Sequence, residues 1–188
     1  MPLVLWLAIP MSALAAEPFT TPNLSPPILI YGAPAWTTLA SEPTSRLNVA
    51  LTSAVASHFS LHRNSTGRVL LDGETRYLHW GVRRRVSERW LVGVDLGGVQ
   101  HTSGNLDAFI DGWHSAFGLP DGGRDQRPRD QIEFSFLNGG TTVFELTEGV
   151  SGIGDSRVGV GRIVGTDANW LLWAELKLPT GSARRLTG

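Results

Sequence analysis

The sequence predicts an all-β protein, an antiparallel meander of about seven strands, and three observations carry that expectation. Twenty-two glycines and seven tryptophans against two methionines, in 188 residues, favour many turns and ring-bearing strands over helix. From Arg46 onward apolar residues recur with period two, the pattern of a strand with one apolar face. Turn signals punctuate these runs; the strongest is Asn138-Gly139-Gly140, because Asn and Gly accept the positive φ of a tight hairpin.

Residues 1–16, MPLVLWLAIPMSALAA, read as a secretory signal peptide: an apolar run ends in small residues, with Ala13 and Ala15 fitting the A-x-A rule. The usual basic start is missing, since no Lys or Arg precedes Arg46. Residues 17–45 are rich in proline and cannot form a continuous strand or helix; at most Ile28 to Tyr31 is a short extended piece. Residues 46–188 are the predicted partial barrel domain. Export would permit disulfides, but with no cysteine stability must come from strand pairing and packing. A formal net charge of -1 gives no reason to expect nucleic acid as a partner.

The strands follow in order. Leu47, Val49, Leu51 and Val55 alternate with Asn48, Ala50, Thr52 and Ala54. Roughly from Asp72 to Arg84, Leu78, Trp80 and Val82 share one face and Tyr77, His79, Gly81 and Arg83 the other. Trp90, Val92, Val94 and Leu96 then alternate with Leu91, Gly93, Asp95 and Gly97. QIEFSFL and TTVFEL flank the hairpin turn, Asp155 to Val164 is a sixth strand, and Asn169 to Pro179 a seventh. Long connections at Leu61 to Leu71 and Asn105 to Asp130 alternate with short turns, as in an outer-membrane barrel. Trp80, Trp90 and Trp170, near strand ends on the apolar face, resemble an interfacial girdle.

The long connection NLDAFIDGWHSAFGLPDGGRDQRPRD carries helix punctuation: Asn105 as cap, Asp107 in the first turn, Gly118 at the stop and Pro120 beyond. Leu106, Phe109, Ile110, Trp113 and Phe117 fall on one face, so Phe109, Ile110, Trp113 and Phe117 are expected to dock, on the barrel rim, in the lumen or on the outer leaflet. Asp111, His114 and Ser115 suggest a catalytic triad, but adjacent helical residues point about 100° apart and cannot face each other as base and nucleophile.

Elsewhere, folding two strands about Ser87 puts His79 opposite Asp95 on the polar face. Folding the last two about Asp167 gathers Asp155, Arg157, Glu175 and Lys177. These six are the expected lumen-lining groups, as a polar network or as determinants of ion selectivity. His58 and His62 have a metal-binding spacing only on a helix, and they lie where a strand is expected to end. No catalytic residue, metal or cofactor is expected.

NLSPPILIYGAP after the signal, LDGE at Leu71 to Glu74, DAFIDGWHSAFGLPDGGR and GIGD at Gly152 to Asp155 together resemble bacterial proteins filed as domain of unknown function 3187. The likeness covers most of the mature chain, and the segment from Asp107 to Arg124 is its most specific part. It implies an outer-membrane-type β-barrel of unassigned role and brings no catalytic residue. Here the seventh strand ends at the long-loop end and the chain stops at ARRLTG, so by parity C-terminal strands are expected to be missing. The fold class expected is therefore an incomplete, open barrel with one short amphipathic helix in a long loop. Its expected role is an outer-membrane barrel, a small-solute channel with that helix as a lid, with outer-membrane lipid and small solutes as partners. An outer-membrane lipid-modifying enzyme using His114 or His79, and a secreted soluble ligand-binding β domain, are the alternatives.

Overall fold

The computed structural model describes residues 23–31, 46–164 and 170–188. The signal peptide, most of the proline-rich segment and the turn at 165–169 lie outside the described residues. The rest is an antiparallel, open, unclosed sheet, as the strand pattern predicts. It comprises β1 (Leu47–Arg63), β2 (Gly67–Arg85), β3 (Trp90–Thr102), β4 (Glu133–Asn138), β5 (Thr141–Leu146), β6 (Val150–Ile153), β7 (Ser156–Val164) and β8 (Trp170–Leu178). Two helices accompany them, α1 (Pro26–Tyr31) and α2 (Asp107–Phe117).

The wall runs β1-β2-β3-β7-β8, with β1 paired to β2 along its whole length. We call the end at the 86–89 turn the lower end and that at the 64–66 turn the upper. At the upper end β2 changes partner, from β3 (Glu74 opposite Thr102) to β4 (Asp72 opposite Glu133). Gly73 sits at that fork with φ +146; a Cβ there would crowd the Thr102 carbonyl and the Phe134 ring. β6 and β7 pair with the same edge of β3 and are separated only by Gly154 and Asp155, where the register slips by one residue, as at a β-bulge. Counted as one bulged strand, they bring the total to the seven expected.

Several expectations are corrected. The connection from Leu61 to Leu71 is not long: β1 and β2 both extend to a tight turn, where the Asn64 carboxamide oxygen accepts the N–H groups of Thr66 and Gly67. This local side-chain turn competes well with a loop and lengthens both strands. The contrast of long and short connections thus rests mainly on the 103–132 segment. Trp80 is not at a strand end but several residues in from the Arg85 end of the longer β2, between Leu51 and Leu96. Residues 26–31 are helical rather than extended. Prolines in a first helical turn lack only N–H groups that would be unbonded there, and Ser25 O accepts from Ile28 and Leu29.

Odd-numbered residues of β1 (Leu47, Val49, Leu51, Val55) share the outer face with Leu78, Trp80 and Val82 of β2 and Val92, Val94 and Leu96 of β3. Val158 and Val160 of β7 and Leu172 and Leu176 of β8 continue it. Nearly all these side chains are exposed, Leu51 at 71%. The enclosed apolar core lies instead on the inner face of the upper end. There Phe134, Leu146 and Leu186 are buried, with Ile30 of α1, Leu71, Ile132, Phe144 and Val150 packed around them.

Candidate functional site

The inner face of the lower wall carries a ladder of paired charges. His79 and Asp95 do meet, His79 Nε2 lying 3.0 Å from Asp95 Oδ1. They are diagonal rather than opposite, because the register pairs Gly81 with Asp95 and His79 with Gly97, one step beyond a fold about Ser87. The other Asp95 oxygen takes the Arg83 guanidinium at 2.6 Å, and Arg83 in turn lies over the Trp173 ring. On β7 and β8 the expected register is found, with Arg157 opposite Lys177. The ion pairs again run diagonally, Arg157 to Glu175 at 3.1 Å and Lys177 to Asp155 at 2.7 Å. Lys177 Nζ also donates to Ile30 O, fastening α1 to the inner face. All six predicted polar residues therefore share one face, and each has a hydrogen-bonding or ion-pair partner beside it.

Above this ladder sits a chain of hydrogen bonds not predicted from the sequence. His58 Nε2 and Thr75 Oγ1 are 2.9 Å apart, Thr75 Oγ1 and His101 Nδ1 2.9 Å, and His101 Nε2 and Leu186 O 2.9 Å. The Leu186 carbonyl can only accept, so His101 carries its proton on Nε2, and its Nδ1 accepts from the Thr75 hydroxyl. Thr75 oxygen then accepts from His58 Nε2–H. Both rings stand edge-on to Phe134. Burial holds both imidazoles neutral; His58 is lowered to about 4, with His101 and Arg124 adding to the effect.

The outer face of the upper end holds a third cluster, beneath the 103–132 segment. The fully buried Glu74 carboxylate accepts the N–H groups of Asn105 (2.8 Å) and Leu106 (2.6 Å), so α2 is capped by a strand residue and not by the Asn105 side chain. Gly104, with φ +71, lies against the Glu74 carboxyl where any Cβ would collide with it. Arg127 bridges Asp72 and Glu133, which Arg68 also meets. Burial raises the Asp72 carboxyl above its usual range although Arg127 opposes this. Arg124 joins Asp107 of α2 to Ser57 of β1 and lies over the Phe59 ring. A small, polar, open cleft remains between these groups.

The helix itself is where the spacing predicts it, ending on left-handed Gly118. Its rings do not pack on the rim or in the lumen of the sheet, which leaves the third expected site, the outer leaflet. Phe109, Trp113 and Phe117 stack on one another, Trp113 to Phe117 at 4.5 Å, and are exposed at 67%, 52% and 62%; only Ile110 is partly buried. Asp111 binds Arg129, and His114 Nδ1 has no hydrogen-bond partner among the described residues, so no triad forms. His58 and His62 lie on the same face of β1 but far apart in environment, His58 half-buried in the histidine chain and His62 exposed near the upper turn, and no metal-ligand cluster occurs among the described residues.

Glu74, Thr75, His101, Arg124 and Arg127 were the residues missed. One signal was readable: positions 72, 74 and 76 continue the alternation of 78, 80 and 82 but are Asp, Glu and Arg instead of Leu, Trp and Val. Neither a curated protein nor a solved structure matches the chain. A family model described as Protein of unknown function (DUF3187) matches residues 3–188, and the chain belongs to that family.

Proposed function

We propose that this chain forms part of the wall of an outer-membrane β-barrel. The observation that carries the reading is the one-sided distribution of side chains: a bare apolar outer face across five strands, over an inner face of paired charges. Each large apolar side chain removed from water stabilises by about 1.5–3 kcal/mol. A soluble sheet would spend that energy on its core, whereas here the core is small and the larger apolar surface faces out. Hydrocarbon is the solvent that makes this arrangement favourable. On β1 the band covers residues 47–55, close to the ~9–11 residues that a tilted transmembrane strand needs. The outward apolar side chains of this band then come from 47–55, 78–82, 90–96, 158–160 and 172–176. In lipid, the edges of β1 and β8 that carry no partner strand among the described residues require further strands, since backbone groups there have no water to meet them.

The test is fractionation of the full-length protein. Recovery with outer membranes, extraction only by detergent and heat-modifiable gel mobility are expected. A protein that stays in the aqueous phase without detergent would show the soluble alternative instead. The finer reading is a small-solute channel, supported by the polar inner face, and planar-bilayer conductance tests it. Insertion without conductance removes the channel and leaves the barrel. The proposal includes no catalytic role.

A further inference from the structure

We propose that α2 is a membrane-surface helix, whose Phe109, Trp113 and Phe117 rings enter the lipid leaflet at the upper border of the apolar band. This rests on the barrel reading and adds to it. Three observations place the helix there. Its anchors are all outer-face residues: Glu74 holds its N-terminus, and Arg124 ties Asp107 to Ser57 and Phe59, just above Val55 where the band ends. It therefore lies outside the wall, continuous with the apolar band, and not over the lumen as a lid.

Its polar side is also committed. Asp107 is held by Arg124 and by the Asp130 N–H, and Asp111 by Arg129, which fixes the roll of the helix about its axis. With the carboxylates turned to the loop, the ring stripe at i, i+4 and i+8 is left without protein cover, extended by Leu119 at 47% exposure. In water three contiguous rings so presented are unfavourable; in the interfacial layer, aromatic residues have their preferred environment. Continuity with the band selects lipid over a protein partner as the occupant. A short amphipathic helix of this kind buries its apolar face ~5–10 Å into the boundary of headgroup and acyl chain.

The absence of cysteine makes the test direct, because a single introduced thiol can be labelled alone. Trp113→Cys and Phe117→Cys report on the stripe, Ser115→Cys on the far side of the helix, and Leu51→Cys on the wall. Each full-length variant carries a polarity-sensitive fluorophore in vesicles of phosphatidylethanolamine and phosphatidylglycerol, with nitroxide-labelled lipid or aqueous iodide as quencher. Far-UV circular dichroism checks that strand content is retained. Labels at 113 and 117 should emit blue-shifted and be quenched several-fold more by shallow nitroxide than by iodide, with the reverse at 115. Quenching of 113 and 117 by iodide as strong as at 115, while 51 stays lipid-quenched, overturns the proposal and leaves the barrel intact. Stripe labels shielded from both quenchers would also overturn it, in favour of a second copy as the cover. A wall label at 51 open to iodide would remove the barrel reading itself.

Discussion

Below about Val55 on β1 and Arg76 on β2, the wall carries apolar side chains outward and charges inward; above that level β2 turns Asp72, Glu74 and Arg76 outward, while β1 keeps Phe59 and Leu61 on the outer face beside Ser57. On β2 the outer positions Leu78, Trp80 and Val82 give way in the same alternation to Asp72, Glu74 and Arg76. Inside, the His79, Arg83 and Asp95 cluster gives way to Phe134, Leu71 and Leu186. No break in register separates the halves, since β1 and β2 pair without a bulge from one end to the other. On the barrel reading proposed above, the polarity changes because the surroundings change. Water outside demands a covered core within; lipid outside permits a bare apolar exterior. The crossover is then the proposed membrane border, and α2 is anchored at it.

The largest test of this contrast is a charge on the lower outer face. Leu51→Arg should cost ~2–4 kcal/mol in urea unfolding from phospholipid vesicles, the penalty for a cation near the bilayer midplane. Thr52→Arg, one residue on and facing inward, should cost much less. Equal losses at the two positions would show that the faces do not differ in solvent.

Next comes acidity, which acts on the upper half. His58 has a folded pKa of about 4 against an ordinary 6.5, and His101 is lowered too, so the unfolded chain binds more protons between those values. Stability is then fully present above pH 6.5 and falls as pH drops towards 4. At ~1.4 kcal/mol per pKa unit, the His58 share is on the order of 3 kcal/mol at most. The ring faces Thr75, His101 and Phe134, with Arg124 the nearby cation, and no carboxylate is bonded to it to rescue the charge. His58→Gln keeps a donor for Thr75 without titrating and should flatten much of the slope, and His101→Gln added to it the rest. An unchanged midpoint-versus-pH curve in the double variant would place the sensitivity elsewhere.

Much of the lower wall was legible in the sequence, and the reason is local. Alternation fixes which residues share a face, and a short turn fixes register, so Arg157, Glu175 and Lys177 fall where a fold about Asp167 puts them. His79 and Asp95 survive a register displaced by one turn position because long side chains reach a diagonal neighbour. The upper end was less legible because its contacts are distant in the chain. Thr75 meets His58 across one strand pair, His101 across another and, through it, Leu186. Nothing near Glu74 announces that it caps a helix beginning at Asp107; only its phase, charged on a face otherwise apolar, sets it apart.

That cap gives the third prediction. Glu74→Ala strips the acceptor from two N–H groups at the start of α2 and should cost ~0.5–2 kcal/mol, the range for losing a helix cap. The loss should be local, with trypsin cutting faster at Arg124 and Arg129 while strand circular dichroism is kept. Glu74→Gln retains an acceptor and should fall between the two. A protected loop in Glu74→Ala would mean that the arginine bridges to Asp72, Glu133 and Ser57 hold the segment without the cap.

The smallest effect is expected on the inner face, where neutralising a charge should be tolerated. Glu175→Gln breaks the pair with Arg157 but leaves Asp95 directly across from it on β3, in the registered position. Arg157 is thus not stranded, and the stability change should be ~0–1 kcal/mol, as for a solvent-screened ion pair. If the wall lines a conducting lumen, removing one of its carboxylates shifts the reversal potential under a salt gradient towards anion permeation. A loss comparable to that of Leu51→Arg would mean that the inner face is a dry core and not a wetted lining, and the polarity contrast between the halves would need another cause.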